Sequence, residues 1–344
     1  MNLEYVNDGS ESAAIMINGN SNELKNITIQ TNSYGVHLDE ANDNKISNLN
    51  IVGDQDESLT HRKHGIFVWK SHNNEIHDTR IKHVQDGIYM EDSFENHIYK
   101  NTVSKSRYGY HLMFTENTVL EQNESYENVS GMMIMGTDGT VAKQNSLTHN
   151  QKNIQSLGLL LFDVKNATIT KNNMMYNRIG IFIENASDNE IHVNNVQGNY
   201  IGLQFKKADN NNIYHNSFVA NVTQGQAEES SNNHINNNYW GDHHGLDLTG
   251  DRTSNLAYKV DPFFLNLTSE YPPFQLLFQS PGMVFLEQVI HTPIDQQLID
   301  HSPLMENPFA LNDSESMNQV TVLLFSMSLL IFSTFIMYMG VKKQ

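Results

Sequence analysis

Four side chains with soft donor atoms lie close together in the middle of the chain. They are His111, Met113, Met133 and Met135. Imidazole nitrogen and thioether sulfur together form a ligand set that suits Cu(I), which prefers soft donors. Methionines on an apolar surface more often serve only as contacts. These residues therefore predict either a Cu(I) site or a contact surface, and the elements that carry them must decide between the two.

A short unit repeats through the chain, mostly at a spacing of 22 residues. A glycine followed by alternating apolar residues opens each unit, at Gly35, Gly65, Gly87, Gly109, Gly131, Gly158, Gly180 and Gly202. Asparagines keep the same interval, in one series from Asn101 to Asn238 and in another from Asn128 to Asn221. Such a unit cannot bury a core alone and must stack on its neighbours. The sequence predicts an all-β fold, a right-handed parallel β-helix solenoid over residues 1–238.

The residues after each glycine predict the core of one coil. The first and third positions, such as Ile66 and Val68, are apolar or aromatic from Gly65 onwards, and alternation places them on the inner face of a strand. Asparagine suits the corners because it tolerates left-handed backbone, and stacked amides can form ladders. We expect two strands per coil and roughly nine coils between residues 35 and 238, which form a rod of about 45 Å.

Composition excludes several classes of function. The chain has 344 residues, a formal net charge of −18 and no cysteine. A chain this acidic is a poor candidate for nucleic-acid binding, which depends on clustered Lys and Arg. Without cysteine there is no disulfide framework, no cysteine-type zinc site and no thiol catalysis.

The second and fourth residues after each glycine should point outward, yet most of them are apolar. The residues that we expect to bind a partner are Phe67, Trp69, Tyr89, Glu91, Leu160, Phe162 and Phe182. At the spacing of stacked strands, this outer stripe covers several hundred Å², which is enough to mark an interaction surface. The alternatives are coverage by another part of the same chain and dimerisation.

Two units are longer than the others. The extra residues fall within 53–62 and near 151–157. Insertions in solenoids form loops on one face, often the face that binds a partner. Length variation without a function is the alternative.

The sequence after the repeats changes character. Residues 239–261 are expected to cap the open end of the solenoid. Residues 262–312 hold proline-punctuated apolar segments that are too short to span a bilayer, so they predict contact with a membrane surface or a membrane protein.

A membrane anchor is predicted at the end of the chain. Residues 320–341 carry no charge and are long enough for a transmembrane helix. Lys342 and Lys343 follow it and place the C-terminus in the cytoplasm and the solenoid outside. An exported solenoid needs a signal that the first residues lack, so we expect the N-terminal coils to be incomplete.

Several motifs resemble those of the NosD family. They are DGIYMEDSFENHIYKNTVSKSRYGYHLMFTENT at 86–118, HGIFVWKSHNNEI at 64–76, GLLLFDVKNATITKNN at 158–173, NNNYWGDHHGLDL at 236–248, YPPFQLLFQSPG at 271–282 and DHSPLM at 300–305. The resemblance implies a right-handed parallel β-helix in an extracytoplasmic accessory protein for the maturation of nitrous-oxide reductase, a copper enzyme. It also implies an ABC transporter, with an ATPase and a membrane permease, as the partner, and copper or sulfur as the cargo.

The resemblance also implies site residues. The GIYMEDS motif places Glu91 and Asp92 at positions typical of the family, and RYGYHLM does so for His111 and Met113. The outer stripe would then receive nitrous-oxide reductase or a copper chaperone. The residues expected to dock on the permease are Phe274, Leu277, Phe278, His301 and Met305. The hypothesis is a membrane-anchored, non-enzymatic protein that binds Cu(I) transiently.

Two alternatives stay open. A carbohydrate-active β-helix enzyme needs paired acids, or a metal and a base, in a groove. The acids of the outer stripe, Glu91 and Glu184, lie four coils apart, about 20 Å, which is too far for a pair. A surface adhesin would need neither a transporter nor copper.

Overall fold

The computed structural model describes residues 1–5, 12–260, 267, 268, 270–277, 282, 286, 298–309 and 327. The chain divides into two compact units, Met1–Pro308 and Phe309–Gln344. The first contains the solenoid. The predicted transmembrane helix at 320–341 lies outside the described residues, apart from Met327. No helix within the described residues has the length and apolar character needed to cross a membrane.

The solenoid has three parallel sheets that run along its length, and each coil contributes one strand to each sheet. Sheet 1 contains Ala13–Ile17, Tyr34–Asp39, Ile66–Trp69, Asp86–Glu91, Tyr108–Met113, Ser130–Met135, Leu157–Phe162, Ile179–Glu184, Ile201–Lys206 and Thr223–Glu228. Sheet 2 contains Glu23–Lys25, Lys45–Ser47, Glu75–His77, His97–Tyr99, Val119–Glu121, Val141–Lys143, Thr168–Thr170, Glu190–His192, Asn212–Tyr214 and His234–Asn236. Sheet 3 contains Asn2–Tyr5, Thr28–Thr31, Asn50–Val52, Arg80–Lys82, Thr102–Ser104, Glu124–Tyr126, Ser146–Thr148, Asn173–Met175, Asn195–Gln197, Ser217–Val219 and Tyr239–Trp240.

The predicted repeat is confirmed, but the expected number of strands per coil is wrong. The stretch predicted as one second strand bends at a buried asparagine and forms two short strands. In one coil, His97–Tyr99 lies in sheet 2 and Thr102–Ser104 lies in sheet 3, with Asn101 between them. The bend turns the middle residue of each short strand, Ile98 and Val103, into the core.

The core consists of apolar side chains stacked coil upon coil. The positions after each glycine are buried as predicted, and Ile88 and Met90 are completely inaccessible to solvent. Parallel pairing places Ile88 between Ile66 and Tyr110, so each core residue contacts its equivalents in the coils before and after it. Such columns are the source of a solenoid's stability because each coil is covered only by its neighbours.

The predicted asparagine ladders are present at the corners. The Oδ1 atom of Asn123 accepts hydrogen bonds from the backbone N–H of Asn101 at 3.0 Å and from its side-chain amide at 3.2 Å. The amide of Asn123 donates in turn to Asn145 at 3.1 Å. The second predicted series repeats this arrangement from Asn128 to Asn150, which lie in a buried corner. These ladders satisfy backbone groups that the corners would otherwise leave unpaired.

The expected left-handed backbone occurs at other asparagines, such as Asn117 and Asn166, but not at the asparagines of the ladder. The left-handed residue is the one before each ladder asparagine, as at Lys100 with φ 54° and Gln122 with φ 54°. Asn101 and Asn123 are not left-handed. They turn inward and join the ladder, while the left-handed residue points outward.

The C-terminal residues close the end of the solenoid. Tyr258–Val260 pairs antiparallel with Leu298–Asp300, and a 3-10 helix spans Pro272–Leu277. Asp300 is buried and accepts hydrogen bonds from the backbone N–H of Asn238 at 2.8 Å and from Trp240 Nε1 at 3.1 Å. It therefore occupies the place that the next ladder asparagine would take.

The two insertions leave the solenoid at the same corner. One joins the strand Asn50–Val52 to Ile66–Trp69, and the other joins Ser146–Thr148 to Leu157–Phe162. Both connect sheet 3 to sheet 1, so they project from one edge of the rod, four coils apart.

Candidate functional site

The outer face of sheet 1 carries the predicted site residues in columns. We call the fourth position of each six-residue strand the middle column and the sixth position the edge column. His111 and Met133 are register partners in the middle column. Met113 and Met135 are register partners in the edge column. The fold thus brings the four predicted copper ligands together on two neighbouring strands, about 4.8 Å apart across the sheet.

The outer stripe is less exposed than the sequence indicated. His111 and Met133 are each 7 % exposed and Leu160 is 6 % exposed, while the other apolar members are half-buried. Met133, Leu157 and Leu160 form a second apolar cluster, against which Phe162 and Phe182 pack. The sequence predicted an open apolar patch. The structure instead shows a face whose side chains largely cover one another.

Aromatic stacking explains part of this coverage. Phe67 stacks on His37 with ring centroids 4.6 Å apart and on Tyr89 at 5.2 Å. Tyr89 stacks on His111 at 4.7 Å. Rings in register on parallel strands pack face to face, which buries most of each ring and holds the His111 side chain in place.

A buried ionic group next to these residues was not predicted from the sequence. Asp86 is inaccessible to solvent and precedes a repeat glycine. Arg107 donates two hydrogen bonds to it, from Nε at 2.8 Å and from Nη2 at 2.7 Å. His111 Nδ1 lies 2.9 Å from Asp86 Oδ2, and His64 Nδ1 lies 3.5 Å from the same oxygen. The sequence feature that could have indicated this ionic group is an aspartate directly before a repeat glycine, at a position whose side chain points outward.

The surroundings fix the charges of this group. Burial alone would raise the pKa of Asp86, but hydrogen bonds from His111 and Arg107 outweigh it and lower the pKa to about 2. Burial lowers the pKa of His64 to about 4, although the charge of Asp86 opposes the shift. At neutral pH, Asp86 is ionised, Arg107 is charged and His64 is neutral.

The ionised Asp86 sets the orientation of His111. A carboxylate only accepts hydrogen bonds, so the Nδ1 atom of His111 carries the proton that it shares with Asp86. In the neutral ring, the lone pair is then on Nε2. That Nε2 atom is buried and has no hydrogen-bond partner among the described residues. A histidine held by a carboxylate through one nitrogen, with the other nitrogen available, is the usual arrangement of a metal-binding imidazole.

The sulfur of Met113 is also held in place by a neighbouring side chain. The Tyr89 hydroxyl lies 3.3 Å from the sulfur of Met113 and 2.9 Å from Oε2 of Glu91. Burial and the hydrogen bond to Glu91 raise the pKa of Tyr89, so the hydroxyl stays protonated and donates. Within the part of the chain that the structure describes, no group of three or more His, Asp and Glu residues is arranged to hold a metal ion. The set of His111, Met113, Met133 and Met135 is of another kind, since thioethers supply most of its donors.

The residues predicted to dock on a permease are spread over the C-terminal region. Leu277 is exposed and Phe274 is half-buried, both in the 3-10 helix, and Phe278 lies outside the described residues. His301 is exposed. Met305 is half-buried and packs beside Gly245, where an added Cβ would lie 2.7 Å from its sulfur. Met305 thus contributes to the cap, and the docking role of the set stays a prediction.

The fold and the site define a class: a parallel β-solenoid whose outer face presents imidazole and thioether groups. Residues 47–249, more than half of the chain, match the family NosD, described as periplasmic copper-binding protein. The chain belongs to the NosD family.

Comparison with solved structures gives more distant likenesses. A single-residue mutant of the periplasmic alginate epimerase AlgG is 14 % identical with a TM-score of 0.49, over 60 % of this chain and 58 % of that one. The enzymatically active domain of the bacteriophage CBA120 tailspike protein 2 is 12 % identical with a TM-score of 0.48, over 67 % of this chain and 43 % of that one. The catalytic domain of a GH87 α-1,3-glucanase is 12 % identical with a TM-score of 0.40, over 69 % and 59 %. The chain thus spans about half the length of these structures. A search of curated proteins found no match.

Proposed function

We propose that this chain is an extracytoplasmic accessory protein that binds Cu(I) transiently and presents it during the maturation of nitrous-oxide reductase, together with an ABC transporter. The observation that carries the proposal is the buried, unpartnered Nε2 of His111, on a strand that also carries Met113 and that pairs with the strand of Met133 and Met135. Membership of a family described as periplasmic copper-binding supports both the metal and the compartment.

In this proposal His111, Met113, Met133 and Met135 hold Cu(I). Three neutral sulfur donors and one imidazole suit a singly charged soft ion that must be released again. Asp86 and Arg107 orient the imidazole of His111 and do not contact the metal. The chain acts as a carrier and not as an enzyme.

The partners in this proposal occupy two regions. The outer face of sheet 1, from Phe67 to Phe182, receives nitrous-oxide reductase or a copper chaperone. The C-terminal residues, with Leu277 and His301 exposed, dock on the permease of the transporter, and residues 320–341 anchor the chain in the membrane with the solenoid outside.

Anaerobic titration of the purified full chain with Cu(I), against a chromophoric chelator, tests the metal site. We expect one tightly bound ion, and we expect His111→Ala and Met113→Ala each to weaken binding by at least about tenfold. Met175→Ala is the matched control, since Met175 is half-buried on a sheet 3 strand. Binding that survives His111→Ala, or that falls equally with Met175→Ala, would remove the proposed site.

A further inference from the structure

The two insertions flank an open cleft at the corner between sheet 3 and sheet 1. Its volume is about 500 Å³, within the usual range for small-molecule sites. Arg62 comes from the first insertion and Lys152 from the second. Between them, the floor carries His83, Lys105 and Glu127 from successive coils.

The backbone at this corner directs the floor side chains outward. His83, Lys105 and Glu127 are all left-handed, with φ between 55° and 59°. Each of them directly precedes an inward-pointing corner residue and itself points outward. The three side chains are spaced about 4.8 Å apart along the rod. The solenoid therefore forms a row of outward side chains beside which the two insertions contribute Arg62 and Lys152.

The cleft is basic in a chain of net charge −18. Glu127 is the only carboxylate among the described residues that line it. Neither Lys105 nor Lys152 forms a salt bridge with a described carboxylate. Burial, followed by repulsion from Arg62, lowers the pKa of Lys152, as expected where like charges converge.

The acidic side chains of the first insertion do not line the cleft, whereas its Arg62 does. Asp54 and Asp56 line a different pocket, on the side of Glu4. Arg62 instead reaches along the rod, with Nη1 3.5 Å from the carbonyl oxygen of Lys105, and its Nε and Nη2 atoms donate to the carbonyl oxygens of Glu57 and Gln55. Its guanidinium thus braces the loop and keeps its positive charge beside the cleft.

We propose that this cleft binds a small molecule that carries at least two negative charges on phosphate or sulfate groups. Arg and Lys donors that converge from three sides, without carboxylate partners of their own, suit a compact oxyanion. The cations that line the cleft lie between two insertions four coils apart, an extent that suits a compact ligand better than a long polyanion. The site is separate from the proposed copper residues, so failure of one assignment leaves the other intact.

Isothermal titration of the full chain with inorganic pyrophosphate, inorganic sulfate and citrate, at constant ionic strength set with NaCl, tests this site. We expect saturable binding of pyrophosphate or sulfate. The anion with the higher affinity identifies whether the cleft prefers phosphate or sulfate groups. Lys105→Gln and Lys152→Gln should each weaken binding about tenfold, since each removes a charged donor. Glu127→Gln should strengthen it several-fold.

Lys100→Gln is the matched control. Lys100 lies in the same coil as Lys105 and is also left-handed, but it lies at another corner. Glutamine is accepted at such positions, as Gln122 and Gln144 show with φ 54° and 57°. An equal loss in Lys100→Gln, heats no larger than those of NaCl, or a preference for citrate would overturn the proposal.

Discussion

At the scale of single residues, the outer face of sheet 1 depends on one buried carboxylate. Asp86 accepts hydrogen bonds from Arg107 and from Nδ1 of His111, and it remains ionised because these donors outweigh its burial. Removing one partner of a buried ion pair leaves the other charge uncompensated, which is more harmful than replacing both. Asp86 therefore both stabilises this face and defines which nitrogen of His111 is available.

His64 should make the solenoid sensitive to acid. Its side chain is 12 % exposed and its pKa is about 4 in the folded chain, against 6.5 as the ordinary value. As the pH falls from 6.5 to 4, the unfolded chain takes up a proton that the folded chain refuses, so the folded state loses stability. The loss from this residue is about 3 kcal/mol.

His64→Gln removes this titration. The free energy of unfolding, measured in urea at pH 7 and at pH 4, falls between these pH values in the original chain. In the variant this fall should be about 3 kcal/mol smaller. Asp86 stays ionised over this range because its pKa is about 2. An unchanged difference would show that His64 is protonated as readily in the folded chain as in the unfolded one.

At the scale of elements, the asparagine ladder holds the corners between the short strands. Asn123 accepts two hydrogen bonds from Asn101 and donates to the carbonyl oxygen of Ile98 at 2.8 Å. Strands of three residues supply few ladder bonds of their own, so the corners contribute much of the order within each coil.

Asn123→Ala should destabilise the solenoid by about 3 kcal/mol, since it leaves the buried donors of Asn101 and the acceptor of Ile98 without partners. Urea unfolding monitored by circular dichroism measures the effect. Gln122→Ala is the control at the adjacent, exposed corner position, and it should change stability by less than about 1 kcal/mol. Equal effects of the two substitutions would assign the corner's stability to backbone shape and not to the ladder.

At the scale of the whole molecule, the repeat predicts the architecture of the solenoid. It does not predict the features that depart from the repeat, such as the Asp86 group and the cleft between the insertions. The spacing of Gly65 and Gly87 defines a coil, and burial of the alternating residues follows from it. Other coils carry His64 and Tyr108 at the position of Asp86, so the repeat does not predict the aspartate or its partners, Arg107 and His64, which come from neighbouring coils. The meeting of the two insertions at one corner likewise depends on where each interrupts its coil.

The closed end is a second feature that local sequence could not predict. Asp300 lies more than 60 residues after the ladder that it completes, and neither the apolar composition of its segment nor the DHSPLM motif indicates this role. It accepts from the backbone N–H groups of Asn237 and Asn238, from the Asn238 amide and from Trp240 Nε1. Because each coil contacts only its neighbours, the effect of losing this cap should fade with distance along the rod.

Asp300→Leu should therefore destabilise the end of the solenoid and not the whole of it. We expect hydrogen exchange to lose protection in the last two coils, around Asn216 and Asn238, by about 3 kcal/mol, since several buried donors lose a charged acceptor at once. Protection around Asn101 and Asn123 should stay as in the original chain, and this internal comparison is the control. A uniform loss across all coils would show that the solenoid unfolds as one cooperative unit whose stability Asp300 controls from its end.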